Sequence, residues 1–254
     1  FWKAELDKSG SGYAVIRFLP ALDDDKTAFV RVFNHGFQGP GGWYIENSLT
    51  TLGQKDPLSE YNSVLWNSGI EANKEIARKQ KRRLTYFSNI YVVEDKANPQ
   101  NEGKVFLFRF GKKIFDKISS MSNPEFEDET EVDVFNLWDG ANFKLKIRKV
   151  DGFSNYDKSE FMTSAPLSED ESEMERVFGE QHDLEEFIDQ KSFKTYDELK
   201  TRLDTVLGNI QTAAMTAPTS VENDEAPFDG GTPIPESSTS EDENLDYFKK
   251  LAEA

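Results

Sequence analysis

Four short runs of alternating side chains constrain this chain most: GYAVIRFLP (12–20), AFVRVF (28–33), KVFLFRF (104–110) and ANFKLKIRKV (141–150). Successive residues of an extended strand point to opposite faces, so a period of two sorts each run into two sets. In the first, Ala14, Ile16 and Phe18 share one face and Tyr13, Val15, Arg17 and Leu19 the other. In the third, Phe106, Phe108 and Phe110 oppose Val105, Leu107 and Arg109, and Gly111 ends the run. The fourth sets Phe143, Leu145 and Ile147 against Lys144, Lys146 and Arg148. WYIE (43–46) and residues 85–93 also read as strands. Short strands separated by turns, with few helices before residue 165, predict a mainly β protein with helical additions, built as a small barrel or sandwich.

The connections carry their own signals. QGPGG (38–42) is followed by a strand, whereas a phosphate-cradling loop requires a helix and a Lys-Ser/Thr pair, so it reads as a hairpin loop. Asp139-Gly140, between EVDVFNLW (131–138) and ANFKLKIRKV, predicts a two-residue hairpin. Residues 47–70 are polar and irregular, with Asp56-Pro57 opening a short helix through Tyr61, Val64 and Leu65. Ile114, Phe115, Ile118 and Met121 recur at helical spacing over 112–121. Thr195 and Glu198 form a capping-box pair ahead of a stripe of Tyr196, Leu199, Leu203, Val206 and Leu207. Residues 212–244 are rich in Pro, Ser, Thr, Asp and Glu, a composition that predicts disorder. The last ten residues space Leu245, Phe248 and Leu251 as a short amphipathic helix, too short to be stable alone and so read as a docking peptide.

The chain's net charge of −17 argues at first against a nucleic-acid partner, but the charge is unevenly spread. Residues 1–160 carry 23 Lys and Arg against 24 Asp and Glu, a net of −1, whereas residues 161–254 carry 7 against 23, a net of −16. Residues 72–117 carry 12 basic and 5 acidic side chains, a net of +7, the local excess a phosphate backbone needs. Within them KRRLTYFSNIYVV (81–93) sets three cations directly before a strand opening on Tyr86 and Phe87. A single nucleic-acid strand offers phosphates to cations and base faces to flat rings. The candidate binding set is therefore Lys81, Arg82, Arg83, Tyr86, Phe87, Phe108, Arg109, Lys112, Lys113, Lys144, Lys146, Arg148, Phe153 and Tyr156. Phe153 and Tyr156 lie in GFSNYD, a turn-like segment where rings are less often buried.

Other classes find less support. With no Cys, disulfides, thiolate zinc sites and cysteine nucleophiles are excluded. His35 and His182 stand apart, and no Ser/His/Asp or paired acid/base arrangement is visible. The acidic run PEFEDETEVD (124–133) is the one candidate metal cluster for a nuclease, but it reads as a solvated loop. No apolar run approaches the roughly 18–20 residues of a membrane span, and no signal peptide opens the chain, so the protein reads as soluble and cytosolic. The chain opens on Phe1 rather than Met, which implies an upstream segment.

VIRFLP (15–20), FNHGF (33–37), WYIE, the KRRLTYFSNIYVV run, NEGKVF (101–106), FRFGKKIFDKI (108–118), WDGANF (138–143) and GFSNYD (152–157) together resemble the single-stranded DNA-binding protein of T-even-type phages. The resemblance covers most of residues 1–160. It implies an OB-fold core, a five-stranded small barrel with an accessory lobe at about 34–75 and helices at about 168–208, so that residues 1–211 form the DNA-binding core and 212–254 an acidic tail. It implies sequence-nonspecific binding of single-stranded DNA in phage replication, recombination and repair, in the cytoplasm of the infected bacterial host, with no enzymatic activity. Arg17, Arg82, Arg83, Tyr86, Phe108, Phe153 and Tyr156 match its DNA cleft. The acidic tail would contact replication and recombination proteins, through Leu245, Tyr247, Phe248 and Leu251, and compete with DNA for the basic groove. Self-association along DNA would use a basic N-terminal arm that this chain lacks, and Leu84 interrupts the basic-plus-hydroxyl motif within KRRLT. The best-known member binds zinc through one His and three Cys. Here His35 matches the His, yet residues 47–69 hold no Cys, so no metal or other cofactor is expected. Leu49, Leu52, Leu58, Tyr61, Val64, Leu65 and Trp66 are expected to form an apolar cluster in its place.

Overall fold

The computed structural model describes residues 1–126 and 128–208; the expected disordered tail and the docking peptide at Leu245, Tyr247, Phe248 and Leu251 lie outside them. Eight strands, paired antiparallel, and five α-helices make up the described residues, in two compact units.

The first unit comprises Phe1–Val32 and Leu84–Ile188. Strand β1 (Gly12–Phe18) lies between β4 (Arg83–Glu94) and β6 (Phe143–Val150). β5 (Val105–Phe110) pairs with β4, while β7 (Phe153–Asn155) and β8 (Glu160–Phe161) pair with β6. The register of β1 against β4 slips between Val15 and Ile16, skipping Val93, a bulge that bends the strand. Ala14, Ile16 and Phe18 meet Phe108, Phe110, Phe143, Leu145 and Ile147 in one apolar core, as the alternation predicts. Phe18 sits amid five phenyl rings, Phe108, Phe110, Phe135, Phe143 and Phe161, at 5.5–6.3 Å. Helix α3 (Lys112–Ser122) closes this core with Ile114 and Ile118, and α4 (Glu171–Gly179), capped by Asp170, buries Met174 and Val177.

The predicted hairpin at Asp139-Gly140 does not form. Residues 131–138 contain no strand; Asp133 accepts the Phe135 N–H, and Asn136 accepts those of Trp138 and Asp139, so side chains take the backbone donors a strand would use. The hairpin forms instead at Asp151-Gly152, with φ of 53° and 88° and Val150 opposite Phe153, the signature of a type I′ turn. GFSNYD, read as turn chemistry, is a turn at Gly152 and again at Asp157, with the short strand Phe153–Asn155 between them.

The second unit comprises Phe33–Arg83 and, among the described residues, 189–208. β2 (Phe29–Gly39) leads into it and pairs with β3 (Gly42–Asn47). Pro40-Gly41 makes the predicted hairpin turn. A Cβ on Gly41 would stand 2.0 Å from the Thr205 carbonyl of α5 (Tyr196–Val206), which explains the glycine better than any phosphate role. α1 (Pro57–Asn67) begins at Asp56, whose carboxylate accepts the Leu58 and Ser59 N–H groups. α2 (Glu71–Lys79) has no counterpart in the sequence reading; its charged residues hide a helix with one buried side chain, Ala77. The Thr195–Glu198 capping box of α5 is present, with Leu199, Leu203 and Val206 buried beneath it.

Candidate nucleic-acid interface

On β6 the apolar and basic sets separate as expected. Phe143, Leu145 and Ile147 are buried, while Lys144 and Lys146 are half-buried and Arg148 exposed on the other face. Residues opposite one another in an antiparallel pair share a face. Tyr13 is opposite Lys146 and Val15 opposite Lys144 on the β1 side; Asn155 is opposite Arg148 and Phe153 opposite Val150 on the β7 side. The outer face therefore presents three cations in a row, with Tyr13, 40% exposed, on one flank and half-buried Phe153 on the other.

Two of these cations hold carboxylates. Lys146 Nζ lies 2.7 Å from Glu160, and Arg148 makes a two-pronged bond to Asp157 at 2.9 and 2.5 Å. The Arg148 bonds hold the Asp157 carboxyl down to about 2. Both pairs face solvent, where such contacts are worth roughly 0–1 kcal/mol, so a phosphate can replace either carboxylate at little cost.

Most of the other candidate rings are closed off. Tyr86 and Phe108 fall on the core side of β4 and β5. Tyr86 stacks on Phe115 at 4.1 Å and on Phe110 at 5.5 Å, and Phe108 packs on Trp2, Phe18 and Phe110. Tyr156 lies in the same core. Phe87, on the opposite face of β4, is covered by Phe187, parallel at 4.6 Å, and by the edge of Phe1.

The remaining cations divide similarly. Arg17 is fully buried, its guanidinium donating to Asn142 Oδ1 and to the Asn136, Leu137 and Ala165 carbonyls at 2.8–3.4 Å. It ties the 136–142 loop to residue 165 and reaches no solvent; burial lowers its pKa to about 10, leaving it charged. Arg109, opposite Phe87, is half-buried and likewise lowered by burial to about 10, partly offset by Tyr156. Arg82 lies over the Phe33 ring at 4.6 Å. Arg83 opens β4 half-buried, and Lys81 is exposed. Lys112 pairs with Asp116 at 2.7 Å, and Lys113 is exposed on the first turn of α3.

Around His35, which matches the zinc-binding His of the best-known member of the resembled family, the chain offers no thiolates. His35 and Asp56 are buried together: His35 Nδ1 bonds the Gln80 carbonyl at 3.1 Å and Nε2 lies 3.5 Å from Asp56 Oδ1. Asp56 also accepts the Ser48 hydroxyl and the N–H groups of Leu49, Leu58 and Ser59, and Asn62 donates to the same Gln80 carbonyl. Burial raises the Asp56 carboxyl, and the bonds from His35, Ser59 and Ser48 more than reverse this, holding it at about 2. The apolar cluster expected instead is only partly present. Leu49 and Leu58 are buried, but Val64 is 68% exposed and Leu52, Tyr61, Leu65 and Trp66 are half-buried, because a single short helix can turn only one stripe inward. A polar network occupies the centre. Among the described residues, no three His, Asp or Glu side chains gather as a metal site, and the described acids of 125–133 are exposed.

Sequence reasoning passes over Tyr13. The alternation of GYAVIRFLP already turns it away from the core, but only the pairing of β1 with β6 sets it beside Lys146.

Antiparallel β architecture with a cation-lined outer face flanked by aromatic rings defines a class of binding protein. The family described as gp32 DNA binding protein like matches residues 10–207, and the chain belongs to it. It is 47% identical over 221 residues to the single-stranded DNA-binding protein of Enterobacteria phage T2, covering 84% of this chain and 71% of that protein. It is 46% identical over 214 residues to the protein of the same name from Enterobacteria phage T4, covering 82% and 70%. These names describe binding, and the family is not one of enzymes. No helix among the described residues is long and apolar enough to cross a membrane.

Proposed function

We propose that this protein binds single-stranded DNA without sequence preference during phage DNA replication, recombination and repair, in the cytoplasm of the infected host. The observation that carries the reading is the row Lys144, Lys146 and Arg148 on the outer face of β6, ending beside Phe153. Phosphates would displace Glu160 and Asp157 from two of these cations while bases stack on the ring. Arg109, Lys112 and Lys113 add basic charge within the same unit, and Lys81, Arg82 and Arg83 are further candidate phosphate contacts. Tyr86, Phe87, Phe108 and Tyr156 would reach bases only if the rings over them moved, and otherwise support the surface from beneath. Arg17 acts by positioning the 136–142 loop. The bulged β1, pairing with β4 at one end and β6 at the other, supports an OB-fold reading of the first unit. The acidic tail would dock replication and recombination proteins and compete with DNA for the cations.

Titration of intrinsic fluorescence with poly(dT) at several salt concentrations tests this. Affinity should fall steeply with salt, and removing Lys146 and Arg148 together should flatten the slope of log affinity against log salt by about 1.4, at about 0.7 per phosphate. Binding indifferent to salt, or an unchanged slope in the double variant, would exclude the assigned face.

A further inference from the structure

We infer that Tyr13 is a base-stacking residue, forming the second aromatic wall of the cation row on β6. The role rests on the single-stranded DNA reading above and adds a residue to it. In-register pairing puts Tyr13 beside Lys146, and the same alternation puts Lys144 and Arg148 next along that face. Lys96, paired with Glu94 at 3.0 Å, is within electrostatic reach of the phenol. Phe153, opposite Val150, lies four β6 residues further along, about 13 Å of strand at about 3.3 Å per residue. Arg148 falls between the two rings. Cations held between surface rings are the arrangement a single strand needs, because every base has a face to stack and every linkage a charge.

The competing explanation is that Tyr13 is simply a good strand former on a wet face, since aromatic residues favour strands wherever they pack on neighbours. The two differ in what they demand of the DNA. Stacking requires bases, whereas strand support and electrostatics do not.

The test uses the full chain and its Tyr13→Leu, Tyr13→Ala and Tyr13→Trp variants, titrated with oligo(dT) and with an abasic oligonucleotide of the same length. Tyr13→Leu keeps a bulky apolar side chain in the strand and guards against a folding artefact. The expected result is a loss of roughly five- to a hundredfold on oligo(dT) for Leu and Ala, retention for Trp, and equal abasic binding by all four. Wild-type affinity in the Leu variant on oligo(dT), or an equal loss on the abasic strand, overturns the stacking role and leaves the binding function standing. Failure of the wild type to bind oligo(dT) would remove both.

Discussion

At the scale of single residues, the buried His35–Asp56 pair sets a pH dependence. The folded Asp56 carboxyl sits at about 2, below its ordinary 3.8, so its contribution is complete above pH 4 and is lost as pH falls toward 2. The linkage is on the order of 2 kcal/mol. Asp56→Asn keeps a capping oxygen for α1 but loses the charge facing His35. It should unfold more easily at pH 7 and show less additional loss between pH 4 and 2 than wild type; parallel acid melting curves would refute the pairing. Asp56-Pro57 was readable as a helix start, because a cap and its first turn are local. The partnership with His35, 21 residues earlier, was not, since nothing in an irregular polar segment says which distant side chain shares its interior.

Two Asp-Gly pairs show how elements escape a local reading. Gly152 holds a φ of 88° with open space around it, so Gly152→Ala should cost about 1 kcal/mol, through backbone strain alone. Gly140 has no such φ, but a Cβ there would stand 2.2 Å from the Asn136 carbonyl and 2.8 Å from the Arg17 guanidinium. Gly140→Ala should therefore destabilise more, by roughly 3 kcal/mol, as overpacking beside a buried charge does. Thermal unfolding of the two variants ranks them, and equal losses would contradict the close approach. Both dipeptides look like hairpins in sequence. Asp151-Gly152 becomes one because the strand Phe153–Asn155 follows it and pairs back onto β6, whereas the chain before Asp139 is held by Asx bonds and by Arg17.

For the whole molecule the deciding quantity is the separation of charge. Residues 212–254 hold ten acidic residues and two lysines, while the first 160 residues are close to neutral with a local basic excess. Deleting 212–254 should raise affinity for poly(dT) most at about 0.01 M salt, where screening reaches roughly 30 Å, and little at 1 M, where it falls to about 3 Å. An unchanged affinity at the low-salt end would show that the tail does not compete. Strand alternation, the capping box, the charge division and the family motifs were all legible from sequence, because each is written in neighbouring residues or in counts. Which rings face the core, that Arg17 braces a loop, that a His–Asp network fills the second unit's centre and that Tyr13 stands beside Lys146 were settled only by tertiary structure. Burial and cross-strand register depend on which segments meet, and that is a property of the packed chain rather than of any stretch within it.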